Sequence, residues 1–275
     1  MNSNSKKRGL SFYLLASFFA LFVVFLYGPM IMVFLLSFQG PTGGLTFPMR
    51  GYSTHWFHDL FTSTRYGDLS GAFWRSVALG LMSMIITAVC CLFAGLAFRR
   101  KIRGAGMLFY LCVISLVVPG ILLGLGISQL FQLMGFQLQW WMSALGAHLS
   151  WTMPFGLLIM FAVLNRFDTS WEEAARDVGA THRQILQYVT VPILFPGLIA
   201  VSLFGFTLSY DEMPRSLLTI GGKNTLPIEI SNMTTNVTTP ALYAIGSVTS
   251  AISFAAIAIA FILIAVIERR RARRL

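Results

Sequence analysis

The side chains best placed to do chemistry are two adjacent carboxylates, Asp211 and Glu212, which directly follow a long apolar stretch. Carboxylates at the end of a membrane span can serve as counter-ions for a cationic group, because an ammonium is otherwise expensive to dehydrate. The neighbouring Tyr210 could add a cation–π contact of about 0.5–2 kcal/mol. A simpler interpretation is that both carboxylates are solvated and that Arg215 neutralises one of them. The residues alone leave both interpretations open.

Covalent catalysis has no comparable support in the sequence. His148 and Ser150 bring a base and a hydroxyl close together at membrane depth. Two residues apart on a helix, however, their side chains diverge by about 200°. We therefore expect no catalytic site, and we interpret His148 as a hydrogen-bonding group inside a helix bundle. The three cysteines show no metal-ligand or disulfide spacing, so no metal site is predicted.

The elements that must position these residues are membrane helices. Of the 275 residues, 56% are hydrophobic and 11% charged, whereas about a quarter of an ordinary soluble domain is charged. Helical blocks of about 20 apolar residues cross the hydrocarbon of a bilayer. The sequence predicts an all-α membrane protein with six spans, at residues 10–38, 73–98, 104–133, 141–164, 195–209 and 241–267. The fifth block is short, and we expect its helix to begin inside the preceding charged segment.

Prolines in two of these blocks predict irregular helices. Pro119 is followed by Gly120 in the third block, and Pro154 lies in the fourth. Proline removes a helical hydrogen bond, so we expect a kink or a break at each position.

The basic residues are distributed unequally between the loops on the two sides of the membrane. The formal net charge of +10 could indicate nucleic-acid binding, yet 15 of the 20 lysines and arginines fall on one side of the membrane if both termini are cytoplasmic. That asymmetry is the positive-inside rule of membrane proteins. It predicts cytoplasmic termini, an even number of spans and no nucleic-acid partner.

A charged segment between the fourth and fifth blocks carries helix signals. Ser170 and Glu173 match a capping box, and Glu172 could pair with Arg176 one turn later for about 0.3–0.5 kcal/mol. Gly179 is suited to the left-handed residue that ends a helix. This pattern predicts a short helix that begins at Trp171.

A second helix is predicted directly afterwards. Thr181 and Gln184 repeat the capping pattern, and the apolar periodicity then continues toward Pro192. The small side chains of Ala174 and Ala175 would let a partner approach the first helix closely. The segment is therefore predicted to be a helix–turn–helix docking element.

This segment also resembles a known family. Glu173-Ala174-Ala175, three residues, Gly179, nine residues, Val189, one residue and Val191-Pro192 is similar to the EAA motif of ATP-binding-cassette (ABC) importer permeases, written EAA-x3-G-x9-I-x-L-P. The spacing agrees throughout. Valine replaces isoleucine at 189 and leucine at 191, and both changes conserve apolar character. The resemblance in hydropathy and charge extends over nearly the whole chain.

The resemblance implies a type I ABC importer permease fold, with residues 1–275 as one transmembrane domain and residues 166–194 as a cytoplasmic coupling loop. It implies a partner ATPase dimer that binds ATP and Mg²⁺, a second six-span permease subunit and an extracytoplasmic solute-binding protein in a bacterial inner membrane. The chain contains no GxxxxGK[ST] phosphate-binding loop, and no cofactor is expected on it. The residues implied to couple to the ATPase are Glu172, Glu173, Ala174, Ala175, Asp177, Gly179 and Ala180.

Within this family, the acidic pair and the later Thr-Leu-Pro sequence look most like the second permease of spermidine/putrescine-type importers. That likeness implies a polyamine or a similar small cationic solute, with another polar solute, such as an amino acid derivative, as the alternative. The residues assigned to the solute path are Ser202, Ser209, Tyr210, Asp211 and Glu212. An ion-gradient-driven secondary transporter is the competing class, but it would need ionisable residues in mid-membrane, and the predicted spans are nearly free of charge.

Overall fold

The computed structural model describes residues 9–63, 66–99, 104–236 and 239–272. Regular structure in these ranges is helical, apart from one isolated bridge between Gln39 and Tyr52. The helices are α1 (Leu10–Leu36), α2 (His55–Thr62), α3 (Leu69–Phe98), α4 (Ala105–Ile114), α5 (Gly120–Leu133), α6 (Leu145–Leu164), α7 (Ser170–Asp177), α8 (His182–Ile185), α9 (Val191–Tyr210), α10 (Ser216–Thr219), α11 (Leu226–Asn236) and α12 (Ala241–Ala272). Two π-helical turns, Trp140–Ala144 and Leu186–Thr190, lead into α6 and α9.

Five helical stretches of the described chain are long and apolar enough to cross a membrane: Leu10–Leu36, Leu69–Phe98, Trp140–Leu164, His182–Tyr210 and Ala241–Ile267. Large apolar side chains are exposed along them, as at Phe25, which is 80% exposed. Such surfaces suit a lipid environment, because the exposed apolar side chains can contact lipid chains, which are as apolar as they are. The fifth predicted block does begin inside the charged segment, because the helix from His182 continues through Pro192 to Tyr210.

The third predicted block is not one continuous span, so the expectation of six long helices is corrected. Its residues form α4 with 10 residues and α5 with 14 residues, each shorter than the roughly 20 residues that cross a bilayer. The break ends at Pro119, as predicted, and the Ser115 hydroxyl there donates to the carbonyl oxygens of Cys112 and Ser150 at 2.7 and 2.8 Å. By contrast, α6 runs through Pro154 without a break.

The contacts divide the chain into two units. The first contains α1, α2 and residues 233–251. In it the Gln39 side chain organises the loop after α1: its Oε1 accepts from the Arg50 amide at 2.7 Å, and its Nε2 donates to the Gly44 carbonyl at 3.1 Å. The Tyr243 hydroxyl donates to the Leu45 carbonyl at 2.7 Å, which holds that loop to the start of α12.

The second unit comprises residues 67–232 and the chain from residue 252 onward, and its core lies between α3, α6 and α9. The buried side chains of this core are Cys91, Leu157, Met160, Leu164, Leu194 and Val201. Gly205 lets α9 approach α3 closely, since a Cβ there would lie 3.1 Å from the Met84 Cα. Both candidate sites lie at the ends of these three packed helices.

Candidate functional site

The charged loop after α6 folds into two short helices joined by a glycine turn. Gly179 has a φ of 85°, in the left-handed region. Its amide donates to the Arg176 carbonyl at 2.9 Å, and the Ala180 amide donates to the Ala175 carbonyl at 3.0 Å. These two bonds form a Schellman motif. The prediction that Gly179 is the left-handed residue that ends the helix is confirmed.

The predicted capping box at Ser170 and Glu173 is wrong. Helix α7 begins at Ser170, one residue early, and its N-cap Thr169 makes no side-chain capping bond. The Asp168 carboxylate accepts from the Ser170 amide at 2.9 Å instead, because an ionised carboxylate is a stronger acceptor than a hydroxyl. The same hydrogen bond holds the pKa of Asp168 below its usual value.

The second predicted capping box is confirmed. The Thr181 hydroxyl accepts from the Gln184 amide at 3.4 Å, and the Gln184 side chain accepts from the Thr181 amide at 2.8 Å. Both ends of the turn between α7 and α8 are thus fixed by local hydrogen bonds.

The helix spacing predicts that Glu172 pairs with Arg176, and this prediction is wrong. Glu172 pairs instead with Arg99 at the end of α3. Nη1 and Nη2 of Arg99 donate to the two carboxylate oxygens at 3.0 and 3.2 Å, and the Thr190 hydroxyl donates to the same carboxylate at 2.8 Å. The planar guanidinium matches a carboxylate with two parallel bonds, which outweighs a single weak pair along one helix. The guanidinium also lies over the Phe167 ring, 4.8 Å from its centroid.

The predicted coupling residues divide between two faces of α7, a helix with no fully buried residue. Glu172 and Ala175 are half-buried against the rest of the chain, as is Ala180 after the turn. Glu173, Ala174, Asp177 and Gly179 are exposed. Beside them Val178 is 86% exposed and Trp171 is 60% exposed. Trp171 and Val178 therefore leave apolar surface exposed beside the charged side chains of α7.

A buried polar cluster occupies the other end of the same helix bundle. His148 contacts the Ser209 hydroxyl through Nδ1 and the Ser216 hydroxyl through Nε2, both at 2.7 Å. Ser209 in turn donates to Ser83 at 3.0 Å, and all four side chains are buried. His148 is thus a satisfied hydrogen-bonding group that ties α3, α6, α9 and α10 together, as its sequence context indicated.

A buried ion pair adjoins this cluster. Nη1 of Arg215 donates to Glu212 Oε1 at 3.2 Å, and the guanidinium lies 4.4 Å from the centroid of the Trp151 ring. Two glycines of α5 accommodate the arginine: a Cβ at Gly120 would lie 2.9 Å from its Nη1, and one at Gly124 would lie 2.9 Å from its carbonyl oxygen. The start of α5, just after the break at Pro119, is therefore shaped around Arg215.

The residues predicted for the solute path differ in their surroundings. Ser209 belongs to the His148 cluster, Glu212 is paired with Arg215, and Tyr210 is 1% exposed and stacked on Phe206. Asp211 is at the surface, although partial desolvation raises the pKa of its carboxyl.

Ser202 lies elsewhere. It borders a mostly apolar cavity of about 360 Å³ next to α3 and α12. Across the described ranges no group of three or more His, Cys, Asp and Glu residues could hold a metal ion.

Residues 88–273 match the profile of the family described as binding-protein-dependent transport system inner membrane component. The match spans more than half of the chain. This protein belongs to that family. It is a multi-pass inner-membrane permease subunit of a binding-protein-dependent ABC importer, a transport subunit and not an enzyme.

Curated relatives agree with the subfamily resemblance. The permease is 30% identical over 250 residues to the spermidine/putrescine transport system permease protein PotC of Haemophilus influenzae, covering 89% of this chain and 93% of that one. It is 30% identical over 215 residues to PotC of Escherichia coli K12 (76% and 78%). The identity to the putrescine transport system permease protein PotI of that strain is 27% over 216 residues, 74% of each chain.

Solved structures show the same fold at lower identity. A crystal structure of a bacterial ABC transporter that imports the acidic polysaccharide alginate matches with a TM-score of 0.60 and 17% identity, covering 99% of this permease and 98% of that chain. An inward-facing MetNI methionine ABC transporter matches with a TM-score of 0.57 and 16% identity over 72% and 95%.

Three partners in these sites could not be selected from the permease sequence. Arg99 opens a run of basic residues, and nothing in that run distinguishes the one that turns back to Glu172. Ser83 and Ser216 are single serines in apolar or mixed surroundings. In each case the contact depends on distant segments that meet only when the helices pack.

The turn at Gly179 gives a direct prediction. Replacement with alanine should speed amide hydrogen exchange at residues 176–180 by about 5–30-fold, because a left-handed alanine costs about 1–2 kcal/mol. Nothing lies within 4 Å of the Cβ position, so the strain is that of the backbone alone. Gly179→Asn should exchange more slowly than Gly179→Ala, since asparagine tolerates this conformation.

Gly104 provides the matched control, because it also has a positive φ and an open Cβ position but lies outside the loop. Gly104→Ala should leave exchange at residues 176–180 unchanged. Equal exchange rates in Gly179→Ala and wild type would show that the turn does not require a left-handed residue.

Proposed function

We propose that this permease forms half of the solute path of an ATP-driven importer and that residues 170–192 are the segment held by a separate cytoplasmic ATPase. The observation that carries the proposal is the geometry of α7. Its exposed face presents Ala174 and Val178, its end is fixed by the Gly179 turn, and it contains no fully buried residue of its own. A helix built in this way is stabilised by what binds to it.

The mechanism is a coupled change of state. ATP and Mg²⁺ bind to the ATPase subunits, whose closure moves α7 and α8 as rigid levers on the cytoplasmic side, the side on which both termini lie. The lever shifts the helix bundle between inward-open and outward-open states together with a second six-span permease. Such a shift requires that the partner contact the two states differently. In this mechanism, α7 and α8 of the permease receive the movement, and its helix bundle forms half of the solute path.

The solute we propose is a polyamine or a similar small cationic amine, delivered by an extracytoplasmic solute-binding protein. Two relatives named for spermidine and putrescine transport support this class. The exposed carboxylate of Asp211 can face a cation. Glu212 is already neutralised by Arg215, so we assign the counter-ion role to Asp211 and a structural role to Glu212.

One reconstitution tests both parts. The permease, its ATPase, the second permease and the receptor are placed in proteoliposomes, and ATP hydrolysis is measured with the receptor loaded with spermidine, putrescine or an amino acid derivative. We expect stimulation by a polyamine-loaded receptor and ATP-dependent uptake. Stimulation by the amino acid derivative alone would replace the solute class. Uptake by the permease alone under an ion gradient would overturn the ABC mechanism.

A further inference from the structure

We propose that Arg99, Glu172 and Thr190 form a latch that transmits movement of the coupling helix α7 to the membrane helices α3 and α9. The inference rests on the proposed function, in which an ATPase moves α7. It assigns a positioning role to Arg99 and Thr190, which lie outside the exposed face of α7.

The latch joins one carboxylate to two helices of the bundle. Arg99 is the C-terminal cap of α3, and Thr190 is the last residue of the π-helical turn that leads into α9. Both donate to Glu172, Arg99 through two parallel bonds and Thr190 through one. Because α3 and α9 pack against each other along the core, a pull on Glu172 acts on both helices at once.

Among the described residues, α7 also contacts α8 and the turn Leu186–Thr190, whereas its ion pair with α3 is the one to Arg99. A cavity of about 650 Å³ lies beside the latch, lined by Phe93 and Leu96 of α3, Ile185 of α8, and the latch residues themselves. Since α7 has no buried residue, apolar packing across this gap is weak. In the described part of the chain, the polar latch is therefore the ion pair that links α7 directly to α3.

The Arg99–Glu172 pair of the latch is partly buried, oriented by an aromatic ring and charged. Side-chain exposure is 24% for Arg99 and 20% for Glu172, so the pair is shielded without being fully dehydrated. The Phe167 ring under the guanidinium fixes its plane. Burial by itself raises the pKa of Glu172, but hydrogen bonds from Arg99 and Thr190 outweigh it and hold the pKa below its usual value. The carboxylate is therefore charged at neutral pH.

The test measures solute transported per ATP hydrolysed by the complete importer in proteoliposomes. Arg99→Gln should lower this ratio about tenfold, within the usual range of coupling between sites. Arg99→Lys should fall between Arg99→Gln and wild type, because lysine keeps the charge and loses the planar fork. Thr190→Val should lower the ratio about threefold, whereas Thr190→Ser, which keeps the hydroxyl, should match wild type.

Arg166→Gln is the matched control, because it removes an exposed cation from the connection between α6 and α7 without touching the latch, and it should transport like wild type. A wild-type ratio in Arg99→Gln and Thr190→Val, with the ATPase still bound, would overturn the latch and leave the proposed function standing. Selective loss of the ATPase from these variants would also overturn it, since the residues would then serve docking. Failure of the wild-type permease to bind any ATPase would instead reject the proposed function.

Discussion

Replacing Ala174 with tryptophan should detach the ATPase from the permease and lower solute uptake at least about tenfold. The side chain of Ala174 is exposed on α7, on the face that carries Val178 and Glu173. A tightly packed partner surface loses about 1–3 kcal/mol when it must accommodate added volume, and each 1.4 kcal/mol is a factor of ten in affinity. The measurement is co-purification of the ATPase with the permease, followed by ATP-dependent uptake.

Ala174→Ser is the matched control, because it changes the chemistry of the position with little change in volume, and it should keep the ATPase. The neighbouring Ala175 is half-buried, so a bulky residue there would disturb the permease itself as well as the partner surface. Ala174 therefore gives the cleaner result. Full uptake and normal ATPase binding in Ala174→Trp would show that the ATPase docks elsewhere.

Local backbone rules predict part of the coupling loop from the sequence. The Gly179 turn and the Thr181–Gln184 capping box need only residues within a few positions of each other. A short stretch of sequence is therefore enough to predict their geometry. The Glu172–Arg176 pair was predicted in the same way and is wrong. Arg99, 73 residues away, supplies two charge-assisted bonds, and tertiary contacts of that strength override a weak helical preference.

The third apolar block shows the same limit at the level of whole helices. Pro119 identifies where the helix breaks, because proline lacks an amide hydrogen. Whether the two halves remain one span depends on contacts from distant segments: Ser115 bonds to the Ser150 carbonyl, and Arg215 packs against Gly120. Hydropathy counts apolar residues along the chain and contains no information on these contacts. Adjacency in sequence likewise did not indicate that Tyr210 and Glu212 are buried while Asp211 between them is exposed. The solute path itself stays a prediction.

Replacing Arg215 with methionine should destabilise the permease by about 3–5 kcal/mol, the loss typical of leaving one partner of a buried ion pair without the other. Both side chains are buried, and the Glu212 carboxylate also accepts from the Arg215 amide at 3.1 Å. Methionine keeps much of the apolar contact with Trp151 while removing the charge. The measurement is the free energy of unfolding in detergent micelles, obtained by denaturant titration.

The double variant Glu212→Gln with Arg215→Met separates charge from packing. The double variant leaves no buried charge without a partner, and the glutamine oxygen still accepts from the backbone amide of residue 215. Most of the stability lost in Arg215→Met should therefore return. Asp68→Asn is the surface control, because the Asp68 carboxylate pairs with Arg75 but its side chain is 64% exposed. This substitution should change the free energy of unfolding little. Solvent screens exposed ion pairs, and asparagine still caps a helix. If the double variant is as unstable as Arg215→Met, packing of the arginine against Gly120 and Gly124 supplies the stability. If stability returns and polyamine uptake persists, Glu212 is a structural partner of Arg215, and the solute must meet its counter-ion at another carboxylate.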